Sequence, residues 1–177
     1  MRRVKLRVAA RSHPLLTTGA GFTGLLAVFS MLFANRQIVI NTSPSVAPGL
    51  YIRSANAPAV GQLIEFRIPP MARAYVQARA GRIDRDWYIL KPIAAGPGDV
   101  VDTWSDWLVI NGRRISRMPP VYDSAGHRLP IWRSHCVLRS DEFFVFSARI
   151  PNSFDSRCYG PISREQVVAV RKPIITW

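Results

Sequence analysis

The sequence is poor in the residues that most metal and nucleophile chemistries require. Among 177 residues there are two cysteines, Cys136 and Cys158, and three histidines, His13, His127 and His135, with no grouping among them. Two cysteines without clustered histidines make no zinc site, and no motif points to a cofactor. The histidines stand in no recognisable setting and no Gly-x-Ser-x-Gly elbow occurs, so a Ser-His-Asp triad has little support; the lack of any Ser-x-x-Lys argues against a penicillin-binding-type site. There is no helix-turn-helix pattern and no aromatic-rich binding box. The net charge of +13, which first suggests nucleic acid, therefore lacks the motifs that would read it that way. Lysine is scarce as well: of 24 cationic residues only Lys5, Lys91 and Lys172 are lysines. At 48% apolar and 20% charged residues the chain is not disordered, and its length fits one modest domain or a smaller one with an appendage.

Acidic residues are absent from Met1 to Arg36, where Arg2, Arg3, Lys5, Arg7, Arg11 and Arg36 stand, so six of the surplus charges lie in this stretch. Between Arg11 and Arg36 no charge occurs, and Leu15 to Ala34 forms a run of 20 residues rich in Leu, Phe and Val, diluted by three Thr and three Gly. As a helix the run reaches ~30 Å, one bilayer core. A cleaved signal peptide is the rival reading, but Leu32-Phe33-Ala34 before Asn35 puts a bulky leucine where the cleavage site wants a small residue. The reading taken is an uncleaved anchor at 15–34, preceded by a basic tail at 1–14 that stays cytoplasmic by its positive charge and followed by an exported domain at 35–177. The lipid bilayer is then one partner.

The exported part reads as mainly β. Gln37–Asn41, Gln62–Ile68, Trp87–Leu90, Val100–Asp102, Glu142–Ser147 and Gln166–Arg171 are short β-rich runs bounded by turn residues. Leu108–Ile115 carries Asn111-Gly112 between apolar segments, a strong hairpin signal. One helix is expected from Pro70 to Ala80, opened by proline and closed by Gly81. These elements predict an antiparallel domain with hairpin insertions and no internal repeat.

Scarcity makes the lysines separable. Lys5 is in the tail, Lys172 is near the C-terminus, and Lys91 ends the apolar strand Trp87-Tyr-Ile-Leu-Lys91. Arginine stays protonated, whereas a desolvated lysine becomes a usable base; lowering its pKa from ~10.4 to about 8 takes roughly 3 kcal/mol. The competing reading is a lysine whose stem covers apolar surface while its amine stays wet. A candidate nucleophile lies in Asn41-Thr-Ser-Pro-Ser-Val-Ala-Pro-Gly-Leu-Tyr51, a turn directly after the first strand, although serine, proline and asparagine are ordinary turn residues.

Three segments taken together resemble the type I signal peptidases, the S26 family of membrane-anchored serine/lysine proteases. Ser43-Pro44-Ser45 followed by Pro48 is similar to the family's Ser-x-Ser-x-x-Pro box. The resemblance implies that Ser45 is the nucleophile and that the Ser43 hydroxyl joins the Ser45 N–H in the oxyanion hole. Tyr88-Ile-Leu-Lys91 followed by Gly96-Pro-Gly-Asp99 is similar to the box that carries the general base, which makes Lys91 that base. Asn152-Ser-Phe-Asp-Ser-Arg157 is similar to the most specific of the family's boxes; it implies that Ser153 holds the lysine amine while Asp155 and Arg157 pair to brace the site. The implied fold is a set of antiparallel β-sheets behind a single membrane helix. The implied location is the bacterial inner membrane with the catalytic domain in the periplasm, and the implied partner is an exported precursor protein rather than nucleic acid.

Within that family, the short exported domain and Asn41-x-Ser-x-Ser ending in Gly49-Leu50-Tyr51 look like the conjugative-transfer (TraF-type) branch, whose members mature pilin subunits, in some cases joining the ends into a ring. Val46 after the nucleophile fits that branch, whereas Pro48 stands at the spacing of the general secretory enzymes, and Cys158-Tyr159 replaces the usual aromatic pair. General removal of secretory signal peptides is the alternative activity, and a non-catalytic, membrane-tethered scaffold is the alternative of a different class. Cys136 and Cys158 both fall in the part placed outside the cytoplasm, where a disulfide between them is one of two open outcomes.

Overall fold

A computed structural model describes residues 27–28, 30–81, 87–123 and 125–177. The chain divides into two units, Met1–Gln37 and Ile38–Trp177. In the first unit the basic tail and most of the expected anchor lie outside the described residues; residues 30–34 are helical, and among the described residues no helix is long and apolar enough to cross a membrane.

The second unit is built on antiparallel strands, as the short β-rich runs predict. Strands β1 (Ile38–Asn41), β2 (Gly49–Ser54), β3 (Leu63–Arg67), β4 (Tyr88–Ala95), β9 (Glu142–Val145), β10 (Ile162–Ser163) and β11 (Val167–Thr176) form a seven-stranded sheet in the order β1-β2-β11-β3-β4-β9-β10. Strands β5 (Val100–Asp102), β6 (Trp107–Ile110), β7 (Arg113–Arg117) and β8 (His135–Val137) form a second sheet in the order β7-β6-β5-β8. The Asn111-Gly112 turn joins β6 to β7 with both residues at positive φ, 50° and 76°, the conformation a two-residue hairpin loop requires.

β9 explains how one domain holds two cores. Successive side chains of a strand point to opposite faces. Phe143 and Val145 therefore enter a cluster with Ile64, Phe66, Ile93, Ile162 and Tyr159, while Phe144 and the following Phe146 enter another with Val101, Leu108, Ile110 and Leu138. The strand is a wall shared by both. The expected helix is present as a 3-10 turn, Pro70–Ala72, running into α1 (Arg73–Ala80) and ending at Gly81 with φ 77°. Ala72 and Tyr75 bury its inner side against the first cluster.

Six elements differ from the sequence expectation. β2 occupies residues expected to finish a turn; it becomes a strand because β1 and β11 pair with it on both edges. β8, β10 and the four-residue helix α2 (Ser156–Tyr159) are too short to leave a periodic signal, and each is held by tertiary partners. β4 and β11 also run further than expected, through Pro92 and Pro173.

Candidate active site

The loop between β1 and β2 carries Ser43 and Ser45, and its shape is imposed by side chains that occupy its carbonyls. Asn41, buried at the end of β1, donates from Nδ2 to the carbonyls of Ser43 (3.0 Å), Val46 (3.0 Å) and Ala47 (3.1 Å), and its Oδ1 accepts from the Ser43 N–H at 3.2 Å. The Tyr51 hydroxyl donates to the Ala47 carbonyl at 2.6 Å. From across the domain the Ser147 hydroxyl donates to the Ser45 carbonyl, and Arg149 Nε donates to the Pro44 carbonyl at 3.3 Å. β11 closes the loop from the other side: the Trp177 N–H donates to the Pro48 carbonyl at 3.0 Å, and a Cβ on Gly49 would lie 2.2 Å from the Ile175 carbonyl oxygen.

Lys91 arrives by register. β3 and β4 pair so that Ile64 faces Lys91, and the lysine side chain is carried to the serine loop, where its Nζ is hydrogen-bonded to Ser45 Oγ. Ser43 Oγ lies 3.0 Å from Ser45 Oγ on the solvent side. Ser45 is 3% exposed and Lys91 4%, so the contact is nearly dry. Burial lowers the Lys91 pKa to about 8; Asp155 and Cys158 oppose the fall and Arg157 adds to it. The Ser45 N–H donates to no group among the described residues, so the loop presents an unused donor beside the hydroxyl.

The third segment forms the buried floor. Asp155 caps the N-terminus of α2 by accepting from the Arg157 N–H at 3.2 Å, and Arg157 returns a two-pronged ion pair, Nε to Oδ1 at 2.8 Å and Nη2 to Oδ2 at 2.9 Å. The guanidinium also donates from Nη1 to the Arg117 carbonyl (2.8 Å) and lies over the Phe146 ring at 4.7 Å, so the floor ties β7 to α2.

The geometry brings together Ser43, Ser45 and Lys91, and separately pairs Asp155 with Arg157. One expectation needs correction, and one open alternative is decided. Ser153 Oγ is fully buried but has no hydrogen-bond partner among the described residues; Lys91 bonds Ser45 instead, so the expected Ser153–lysine contact is not formed. Cys136 and Cys158 are both free thiols rather than a disulfide. They belong to different clusters: Cys158 is buried in the first core, its thiol pushed up to about 12 by burial, and Cys136 packs against the second. Sequence reasoning missed Ser147 and Arg149 as holders of the serine loop. No local pattern marks them, because their partners are 102 and 105 residues away.

Comparison with known proteins follows the same lines. A family model described as "Signal peptidase, peptidase S26" matches residues 13–177. The chain is 30% identical over 167 residues to the plasmid transfer protein TraF of Escherichia coli, covering 89% of this chain and 92% of that one. It is 26% identical over 176 residues to the conjugal transfer protein TraF of Agrobacterium tumefaciens (strain 15955), covering 94% and 97%. Among solved structures it is similar to a signal peptidase I from Enterococcus faecalis V583, at 21% identity and a TM-score of 0.39, over 66% of this chain and 98% of that one.

Proposed function

The chain belongs to the peptidase S26 family of signal peptidases, and we propose that within it this protein is a membrane-anchored serine endopeptidase, with Ser45 as nucleophile and Lys91 as base, that matures the pilin precursor of a conjugative-transfer system. The observation that carries the reading is the buried Lys91–Ser45 hydrogen bond, in which desolvation lowers the amine to about 8, within reach of a general base.

The reaction follows from these atoms. Neutral Lys91 takes the Ser45 proton as Oγ attacks the scissile carbonyl carbon, and the oxyanion that forms is met by the Ser45 N–H and the Ser43 hydroxyl, donors worth ~10² to 10³ in rate each. The Lys91 ammonium then returns its proton to the departing amine, leaving an acyl-enzyme. Water activated by Lys91 completes hydrolysis; attack by the substrate's own amine instead yields a ring. The substrate lies extended beside β4, the strand that carries Lys91 and that, among the described residues, pairs with β9 at Ile93 and Ala95. In this proposal 15–34 is a single-pass anchor in the bacterial inner membrane, the N-terminus is cytoplasmic, and the catalytic domain is periplasmic.

The plasmid- and conjugal-transfer relatives favour the conjugative substrate; Pro48, three residues past Ser45, favours general signal peptide removal. The test is cleavage of a pilin precursor and of a secretory precursor by the full chain reconstituted in lipid vesicles. Pilin processing is expected to dominate, to vanish in Ser45→Ala and Lys91→Ala, and to persist at a reduced rate in Ser43→Ala. Preference for the secretory precursor establishes the general activity instead. Processing that survives loss of both Ser45 and Lys91 leaves the scaffold reading.

A further inference from the structure

The serine loop is held by its oxygens, and one of those contacts aims the atom that matters most to an oxyanion. Every carbonyl from Ser43 to Ala47 accepts a hydrogen bond: Ser43, Val46 and Ala47 from Asn41, Ser45 from Ser147, and Pro44 from Arg149 Nε at 3.3 Å. Asn41 and Ser147 are buried, whereas Arg149 reaches in from the surface. In a trans peptide the carbonyl of one residue and the N–H of the next lie in one plane and point in opposite directions. The Pro44 carbonyl and the Ser45 N–H are such a pair. Whatever holds the first therefore aims the second.

Pro44 adds to the argument. Its ring restricts φ, so the orientation of the Pro44–Ser45 peptide rests on rotation about the Pro44 Cα–C bond, its coupled adjustment at Ser45, and the contact at the oxygen. Arg149 supplies that contact, and a cationic donor on the oxygen also polarises the amide and strengthens its N–H as a donor. The segment Ser147 to Arg149 thus holds both peptides that flank Ser45. It is anchored below, where the Ser147 N–H donates to Asp155 Oδ2 at 3.3 Å, and braced internally, where the Arg149 N–H donates to Ser147 Oγ at 3.3 Å.

We propose that Arg149 is a positioning residue for the oxyanion hole: its Nε, by fixing the Pro44 carbonyl, points the Ser45 N–H at the developing oxyanion. The proposal rests on the reading of Ser45 as nucleophile. It assigns Arg149 no contact with substrate and no part in proton transfer, and so separates it from Lys91.

The experiment compares full-chain wild type, Arg149→Ala, Arg149→Lys and Ser45→Ala in vesicles, using the precursor that the wild type cleaves and the probe acetyl-Ala-Ala-alaninal, an aldehyde that forms a tetrahedral adduct with a serine hydroxyl. Arg149→Ala is expected to lower kcat about 10- to 100-fold with KM unchanged, to weaken the aldehyde by a matching factor, and to leave the pH midpoint of the rate where Lys91 sets it. Arg149→Lys and millimolar methylguanidinium added to Arg149→Ala are each expected to restore part of the rate. Wild-type kcat and aldehyde affinity in Arg149→Ala overturn the proposal, as does a loss confined to KM or one that neither guanidinium nor lysine relieves. An active Ser45→Ala overturns the underlying reading instead, so the two failures are distinguishable.

Discussion

At the scale of single residues, the decisive quantity is the cost of holding an amine away from water. Lys91 is legible in the sequence because lysine is scarce and this one ends an apolar strand; its lowered pKa of about 8 follows from burial. Catalysis by the neutral amine predicts that kcat/KM rises as pH increases through about 8 and falls tenfold per unit well below it. A profile flat down to pH 5 would count against lysine as base. The same shift is a stability statement. Between about 8 and the ordinary lysine value of 10.5 the unfolded chain binds a proton that the folded state does not, so stability rises with pH across that window. Lys91→Met is therefore expected to be inactive yet more stable at pH 7 by roughly 3 kcal/mol, with the gain fading above the unfolded lysine pKa. Denaturant melts at pH 7 and pH 11 measure it. Ser153 shows the limit of residue-scale reading: the box that contains it is legible in the sequence, but which hydroxyl meets the amine is set by packing.

At the scale of elements, the site depends on strand register more than on the loops that carry its side chains. β11 is inserted between β2 and β3, so the C-terminal strand joins the serine hairpin to the strands that position Lys91. Two contacts make this junction vulnerable. Gly49 admits the β11 backbone where any side chain would collide with Ile175, and Gly49→Ala is expected to destabilise by about 1–3 kcal/mol and to lower activity by displacing the serine loop. The second is the buried ion pair in which Arg171 Nε donates to Glu65 Oε2 at 2.9 Å. Burial, with Arg53 nearby, lowers the Arg171 pKa to about 10, but the guanidinium stays charged at neutral pH. Glu65→Ala strips that buried cation of its carboxylate and is expected to cost about 3–5 kcal/mol, while replacing both partners with leucine costs much less. Thermal unfolding of the three variants separates these outcomes. The strands themselves were largely readable from β-branched runs and turn residues. β2 was not, because its pairing on both edges is not encoded within its six residues.

At the scale of the whole molecule, the charge and the cysteines change meaning once they are placed. The two thiols sit in cores on opposite faces of β9 and are free, so the intact mass under non-reducing conditions is expected to match the reduced sequence, without the loss of two hydrogens. Alkylation is expected to reach half-buried Cys136 well before Cys158, which is 1% exposed. Six of the thirteen surplus charges flank the proposed anchor, and the remainder belongs to a domain whose proposed work is close to anionic lipid. By itself the sequence determined the mainly β class, the α1 helix, the Asn-Gly hairpin, the family, and Ser45 and Lys91 as the residues to pair, because these depend on residue type and on spacing within short segments. Only the tertiary structure decided that β11 closes the serine hairpin, that Ser147 and Arg149 hold the peptides around Ser45, that Ser153 stands apart from the amine, and that the thiols do not meet. Those outcomes concern residues from 22 to more than a hundred positions apart, and which side chains share a dry contact is set by how the sheets pack, not by any local pattern.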